Sequence, residues 1–181
     1  MRLMTGVALA IALMTTTAQA YPTLHLALRV SAQHTQIDKD DGAPDAWGGR
    51  YEISAGVQPT GLISFWAFAA TSSYSASNLV CGVRRRTYSL DVSDDWIGVR
   101  VLLHPHPQLF LGLGYTQIST NESSDFGSDS FDNTSWEFIG GANLIQTAYG
   151  DVQAVLTFGH YDRFGNLEHA SFLSIGAGVQ F

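Results

Sequence analysis

The sequence is poor in charged residues and nearly free of cysteine. Charged side chains make up 14% of the 181 residues, against about 25% in soluble globular domains, which indicates that much of the surface does not face water. The formal net charge of -7 excludes a nucleic-acid partner, because binding to phosphates depends on basic patches. Cys81 is the only cysteine, so an intrachain disulfide is excluded and its role stays open.

The chain also lacks long apolar runs, apart from a short one near its start. Arg2 precedes the apolar residues 7–14, and Ala18-Gln19-Ala20 follows as a small-x-small sequence. This order is typical of a secretory signal, so we expect residues 1–20 to be a cleaved signal peptide and residues 21–181 to form one exported domain. The longest later apolar run, residues 62–70, is interrupted by Ser64 and is too short for a membrane-spanning helix.

What the chain does contain is alternation of apolar and polar residues in segments of about ten residues. This period and this length predict tilted β-strands that span a membrane. The segments are residues 23–31, 50–58, 62–71, 87–103, 109–118, 135–145, 152–161 and 171–181. The third is apolar on both faces, so the orientation of Trp66 and Phe68 stays open. In the fourth, the apolar parity switches near Asp94-Asp95, which predicts a β-bulge there.

The connections between these segments alternate in length. Those after the second, fourth and sixth segments are short, at residues 59–61, 104–108 and 146–151. The others are longer and polar, at about residues 32–49, 72–86, 119–134 and 162–170. Short turns at one end and long loops at the other are typical of an outer-membrane barrel. The even strand count places both termini at the periplasmic end.

Glycine indicates which face points inward. Eight strands enclose an interior just wide enough for side chains to fill, so the face that carries small residues belongs inside and the apolar face meets lipid. A soluble, lipocalin-like barrel is the alternative. Aromatic residues near strand ends, such as Tyr51, Tyr115 and Trp136, favour the membrane, where they form interfacial girdles. The glycines on the polar parity are Gly56, Gly98, Gly112, Gly114, Gly141, Gly159, Gly176 and Gly178.

The last segment has the cleanest alternation, with Leu173, Ile175, Ala177, Val179 and Phe181 on one face. Here the sequence resembles the small outer-membrane barrel families (OmpX/Ail, the OmpA barrel domain and OmpW). The resemblance implies an all-β, eight-stranded antiparallel up-and-down transmembrane barrel in the bacterial outer membrane. It also implies that these five residues are the signal that the barrel-assembly machinery recognises. We expect a monomer in contact with outer-membrane lipids and lipopolysaccharide, without a cofactor.

Five ionisable residues share the polar parity: His25, Arg29, Glu52, Arg100 and Glu137. Charges enclosed in a narrow barrel must pair, because desolvation of a lone charge is costly. The sequence therefore predicts an internal network that plugs the barrel, with Arg29 and Glu52 on neighbouring strands as its first pair. The alternative is a path for ions or small solutes through this network.

The sequence carries no complete catalytic motif. Lipid A deacylases of the PagL type use a His-x-Ser pair with a Glu, whereas here Asp162 follows His160-Tyr161, and Glu168, His169 and Ser171 show no relay spacing. We therefore predict a non-enzymatic envelope scaffold whose surface loops serve adhesion or ligand contact. A narrow pore and a lipid A-modifying enzyme are the alternatives. The basic run at residues 84–86 would contact lipopolysaccharide phosphates or balance nearby aspartates.

Overall fold

The computed structural model describes residues 22–38, 46–81, 86–125, 127–163 and 168–181. The predicted signal peptide, the acidic residues 39–45, and Arg84 and Arg85 lie outside these residues, as do the side chains of Cys81 and Arg86. No helix in the described ranges is long and apolar enough to span a membrane.

Eight strands form one closed antiparallel barrel in which each strand pairs with the next, and β1 closes the ring with β8. The strands are β1 Thr23–Asp38, β2 Ala46–Thr60, β3 Ile63–Cys81, β4 Arg86–His106, β5 Leu109–Ser124, β6 Gly127–Thr147, β7 Gly150–Arg163 and β8 Glu168–Gln180. Phe181 continues the seam, since it exchanges backbone hydrogen bonds of 2.8 and 3.0 Å with Leu26. The predicted fold class is confirmed.

The apolar parity faces outward along every strand. Leu24 is 69% exposed, Ile97 72% and Ile175 59%, while the glycines of the opposite parity lie against large lumen side chains. A Cβ added to Gly56, for example, would collide with the Trp66 ring. Small residues are thus needed inside because large ones from other strands fill the same cross-section.

The structure determines the orientation of β3, which the sequence left open. Trp66 and Phe68 are 3% and 4% exposed and point into the lumen. The outward positions between and after them, Ala67 and Ala69, are exposed. Both faces of β3 are apolar because the inner face contributes to apolar layers inside the barrel.

The predicted bulge near Asp94-Asp95 is wrong. β4 keeps a continuous register with β3 from Leu103 to Leu90, and the irregularity lies farther out, between Ala76 and Leu79 of β3. The apolar parity switches because Val92 packs inside the barrel with Ala46 and Tyr74. The inward face of β4 is therefore the same along the whole strand. At the height of Val92 the lumen layer is apolar, so the inward residue is apolar there.

The short turns are confirmed, but the predicted long loops are largely wrong. Residues 61–62, 107–108 and 148–149 connect the strands at one end of the barrel, which the sequence predicts to be periplasmic, whereas most residues assigned to the outer loops continue the strands. Beyond the lipid both strand faces meet water, so the apolar signal disappears while the backbone ladder continues. Residues 119–134, predicted as one loop, are the outer half of the β5–β6 hairpin.

The outer ends of the strands differ in height around the ring. Among the described residues, β2 pairs with β3 as far as Tyr74, and the pairing of β7 with β6 begins at Ser135. Beyond these points β3, β4, β5 and β6 remain paired with one another. We call this four-stranded extension the projecting sheet; it comprises residues 75–81, 86–95, 119–124 and 127–134.

Candidate functional site

Five charged side chains meet in the middle of the barrel: Arg29 of β1, Arg50 and Glu52 of β2, Arg100 of β4 and Glu137 of β6. We call them the lumen network. Each is placed by the inward parity of its strand, and each side chain is at most 6% exposed. Their convergence from four strands follows from the closed ring, in which inward side chains at one height share one cross-section.

Arg100 is the centre of the lumen network. Its two terminal nitrogens donate to the two carboxylate oxygens of Glu52 at 2.5 and 2.7 Å, and its Nε donates to Glu137. The paired arrangement with Glu52 matches the planar guanidinium to the carboxylate, which is the strongest form of such contacts. Because β4 is adjacent to neither β2 nor β6, these bonds cross the lumen.

Arg29 and Arg50 complete the lumen network with fewer or longer contacts. Arg29 donates to Glu52 at 2.7 Å and to Gln153 Oε1 at 3.4 Å. Arg50 reaches Glu52 and Glu137 only at 3.4 and 3.5 Å. Arg50 was not predicted as a member, although it shares the parity of Glu52, and the contact of Gln153 with Arg29 was not predicted either. That shared parity was the signal that could have found Arg50.

Aromatic rings lie on both sides of the charged layer. Toward the periplasmic end, Trp66 and Phe110 lie 5.7 and 6.0 Å from the Arg29 guanidinium. Toward the outer end, the Arg50 guanidinium lies 4.5 Å from the Trp96 ring centroid, and that of Arg100 lies 3.7 Å from the Phe68 ring centroid. The ring faces attract the cations, and by excluding water they strengthen every ion pair between them.

The interior is closely filled around the lumen network. The cavity beside it measures about 10 Å³ and is lined by residues that include Arg29, Arg50 and Glu52. That is about the space of a single water molecule. The lumen network and its neighbours thus leave room for about one small particle in this cavity.

His25, predicted as a member, lies apart from the lumen network near the periplasmic end. Its Nδ1 is 3.2 Å from the side-chain nitrogen of Gln180, and its ring stacks on Trp66 at 6.1 Å. Ser64 is hydrogen bonded to both Trp66 and His104 in the same region, at 2.8 Å each. These residues form a hydrogen-bonded layer at that end of the lumen.

A second polar layer lies on the outer side of the aromatic rings. Asp94 is fully buried and accepts hydrogen bonds from Thr120 at 2.7 Å and from Ser72 at 3.4 Å. Ser72 in turn accepts from the Trp96 indole at 3.0 Å. Asp94 therefore faces the lumen, and its predicted pairing with the basic run at residues 84–86 lies outside the described residues.

The residues predicted as an assembly signal form one outward stripe. Leu173, Ile175, Val179 and Phe181 are 38%, 59%, 37% and 57% exposed, and Ala177 is exposed between them. They lie on β8, beside the seam with β1. Their recognition by the assembly machinery stays a prediction.

A histidine and a serine also meet on the outer wall. The Nδ1 of His160 on β7 lies 3.0 Å from the Oγ of Ser171 on β8, because the two residues are directly opposite in the ladder. The sequence showed no relay, since this contact arises from strand register. Both residues are in the interior of the sheet, for His160 also pairs with Trp136 and Ser171 with Gln36.

Comparison with known proteins agrees with the observed fold. The profile of the outer membrane protein beta-barrel domain family matches residues 5–181. The attachment invasion locus protein Ail of Yersinia pestis, solved with the heparin analogue sucrose octasulfate, is 13% identical, with a TM-score of 0.52 over 87% of this chain and 99% of Ail. Neisserial surface protein A is 14% identical, with a TM-score of 0.53 over 90% of this chain and 100% of that protein. No curated protein sequence matches. At these identities the likeness shows the fold alone.

Proposed function

Since this chain belongs to the outer membrane protein β-barrel domain family, we propose that it is a non-enzymatic envelope protein whose barrel holds a polar β-sheet at the cell surface for adhesion or ligand contact. Family membership implies that the bacterial outer membrane surrounds the barrel. The short turns then lie on the periplasmic side, and the projecting sheet lies outside the cell.

The observation that carries this proposal is the one-sided height of the strands. β5 and β6 remain paired for nine residues beyond Tyr115 and Trp136, up to Ser124 and Gly127. Nine residues of β-strand extend about 30 Å, well beyond the ring of aromatic residues that marks the membrane surface. An ordered sheet at that distance has no role in spanning the membrane, which supports a role in contact.

The chemistry of the projecting sheet suits a polar partner. A groove of about 620 Å³ on it is lined by six serines and by Asp91, Glu122 and Asp129. Residues 117–134 contain four acidic residues and no Lys or Arg. A polyanion such as the heparin analogue bound by Ail would meet repulsion along this hairpin, so we do not extend that ligand to this protein.

Shortening the β5–β6 hairpin tests the proposal. Residues 119–132 are replaced by Asn-Gly, a two-residue turn that preserves the pairing of Ile118 with Asn133. We expect the barrel to fold, as seen by a heat-dependent shift on gels, and cells that display it to lose adhesion to host cells or to surfaces. The measurement is the number of attached cells relative to wild type.

The matched control changes a turn at the opposite end of the barrel. Replacing Ala148-Tyr149 in the β6–β7 turn by Asn-Gly alters a periplasmic connection and leaves the projecting sheet intact. This variant should adhere like wild type. If the shortened hairpin adheres as well as wild type at equal surface display, the proposed contact role of the projecting sheet is wrong.

We propose two further partners for the barrel itself. The outward stripe of β8 that includes Phe181 would contact the assembly machinery during insertion. The outer wall would contact lipid and lipopolysaccharide, because its exposed side chains are apolar on every strand. Phe181→Ala should reduce the fraction of protein that reaches its folded, heat-shiftable form, whereas Phe138→Ala, at an outward position of similar exposure, should reduce it less.

The His160–Ser171 pair is the one observation that favours the lipid-modifying alternative. Acyl transfer also needs donors for the oxyanion, and the strands carrying both residues are paired on each side, so their backbone N–H groups are engaged in ladders. We therefore keep the non-enzymatic function. Mass spectrometry of lipid A from cells that express wild type, the Ser171→Ala variant or neither should give the same species; a product that requires Ser171 would reverse this assignment.

A further inference from the structure

The lumen network contains more positive than negative charge. Three arginines and two glutamates, Arg29, Arg50, Arg100, Glu52 and Glu137, give three minus two, or one net positive charge. Their side chains are almost completely shielded from water. An unbalanced charge in such a site is costly unless a counter-charge accompanies it.

The neighbouring layers of described residues do not supply that counter-charge directly. Asp94 lies beyond the aromatic layer of Phe68 and Trp96 and is hydrogen bonded to Thr120 and Ser72. On the periplasmic side, Arg29 meets the amide oxygen of Gln153, a neutral group. The excess charge therefore remains within the layer of the lumen network.

Two guanidinium nitrogens in this layer have no hydrogen-bond partner among the described residues. They are Nε of Arg29 and the terminal NH1 nitrogen of Arg50, and both atoms are buried. Arg50 is also the most weakly held member, with its two ion-pair contacts at 3.4 and 3.5 Å. Unsatisfied buried donors on a charged group are rare and call for a ligand.

The side chains of Arg29 and Arg50 line the same small cavity, together with Ser31, Thr157 and Ser174. Ser174 donates its hydroxyl hydrogen to Ser31 at 2.7 Å, which leaves the hydrogen of Ser31 available to another acceptor. The cavity of about 10 Å³ has room for one particle near the size of water. The donors, the excess charge and the size together select a monatomic anion.

We propose that the lumen binds one halide ion, chloride under ordinary conditions, between Arg29 and Arg50. The ion neutralises the lumen network and accepts hydrogen bonds from the two unpartnered guanidinium nitrogens. Larger oxyanions and carboxylates are excluded by volume. This site goes beyond the surface role proposed above and does not depend on it.

Thermal unfolding of the folded protein in detergent tests the site. Sodium chloride is compared with sodium gluconate at equal ionic strength, since gluconate is too large for the cavity. We expect a higher unfolding midpoint in chloride, and above the dissociation constant each tenfold rise in chloride should lower the unfolding equilibrium constant about tenfold. Equal midpoints in the two salts would overturn the proposal.

Substitutions separate the site from general effects of the salts. Arg50→Gln makes the network two minus two, or neutral, and should lose the chloride dependence. Arg50→Lys keeps the charge and should retain most of it. Asp129→Asn removes one charge at an exposed position of the projecting sheet and should retain all of it. Retention of the full dependence by Arg50→Gln would contradict the assignment.

Crystals of the wild-type protein grown in sodium bromide give a measurement that needs no variant. The bromide anomalous signal should show one peak within contact distance of both Arg29 and Arg50. No peak in the lumen would overturn the proposal. A peak without any halide dependence of unfolding would identify an adventitious ion only, and would overturn it equally.

Discussion

Glu137 is a completely buried carboxylate whose charge is balanced by contacts with arginines. It is fully enclosed, accepts from Arg100, and lies 3.5 Å from Arg50. Ion pairs of this kind do not add much stability over an apolar core, but removing one partner leaves an uncompensated buried charge. The lumen network should therefore be sensitive to neutralisation of either glutamate.

We predict that Glu137→Gln lowers the free energy of unfolding by about 3–5 kcal/mol, since it leaves two guanidinium groups without this counter-charge. Urea unfolding of the protein in detergent, followed by tryptophan fluorescence, measures the change. Asp129→Asn makes the corresponding change from carboxylate to amide at an exposed position of the projecting sheet and should change the free energy by less than about 0.5 kcal/mol. Similar losses for both variants would mean that the enclosed pairs do not set stability.

A matched pair of glycines tests the facing of the strands. Gly56 lies inside against Trp66, whereas a Cβ at Gly140 on the outer wall would have as its nearest neighbour only the Phe110 carbonyl oxygen at 3.8 Å. Gly56→Ala should cost about 1–3 kcal/mol by overpacking, and Gly140→Ala should be neutral or stabilise by up to about 1 kcal/mol. The same unfolding measurement applies, and a reversed order would contradict the inward and outward assignment.

Membership of the lumen network was only partly predictable from the sequence. Alternation identifies the inward face, so Arg29, Glu52, Arg100 and Glu137 were predicted to lie inside. It does not give the height of a residue in the barrel, which depends on the register of seven other strands. Arg50 was missed for this reason, although it faces the same side as Glu52.

At the scale of whole strands, the sequence predicts the segments that lie in lipid and fails for those that extend into water. Segments such as residues 152–161 were located correctly because lipid on one side and lumen on the other give the two faces different polarity. Outside the membrane both faces are polar, and β6 begins at Gly127 instead of near Ser135. Hydrogen bonding between strands continues there without any apolar alternation in the sequence. The outer halves of the strands were therefore predicted to be loops.

The outer and inner halves of β6 should therefore differ in protection from hydrogen exchange. In the described part of the chain, residues 127–134 pair with β5 alone, whereas residues 136–143 pair with both neighbours and lie within the membrane. We expect the amides of the outer half that do not point toward β5 to exchange within minutes and those of the inner half to remain protected for hours or longer. Uniform protection along β6 would indicate that another segment covers its outer edge.

At the scale of the whole molecule, the barrel is a filled cylinder. Apolar, charged and polar layers alternate along the lumen, and the aromatic residues of the apolar layers reach across it. The resulting interior resembles the core of a soluble protein more than it resembles a channel. The sequence indicated a filled lumen, because its inward faces carry many glycines, which leave space for the large side chains of other strands.

We accordingly predict that the purified protein gives no reproducible conductance in planar bilayers, because the charged layer and the aromatic layers fill the lumen in the described part of the barrel. The control is the same preparation after heat unfolding, which sets the level of detergent artefacts. Discrete steps of constant size in independent preparations, absent from the control, would favour the narrow pore.

Arg100 on β4 finds its carboxylates on β2 and β6, so no single hairpin can satisfy it. In an incomplete barrel the Arg100 guanidinium would face lipid hydrocarbon without a counter-charge, which costs several kcal/mol. Partly inserted intermediates are therefore unstable. The ion pairs across the lumen form only when the ring of strands closes, and they then stabilise all the strands together. We expect this protein to enter its bilayer cooperatively, as an all-or-none event.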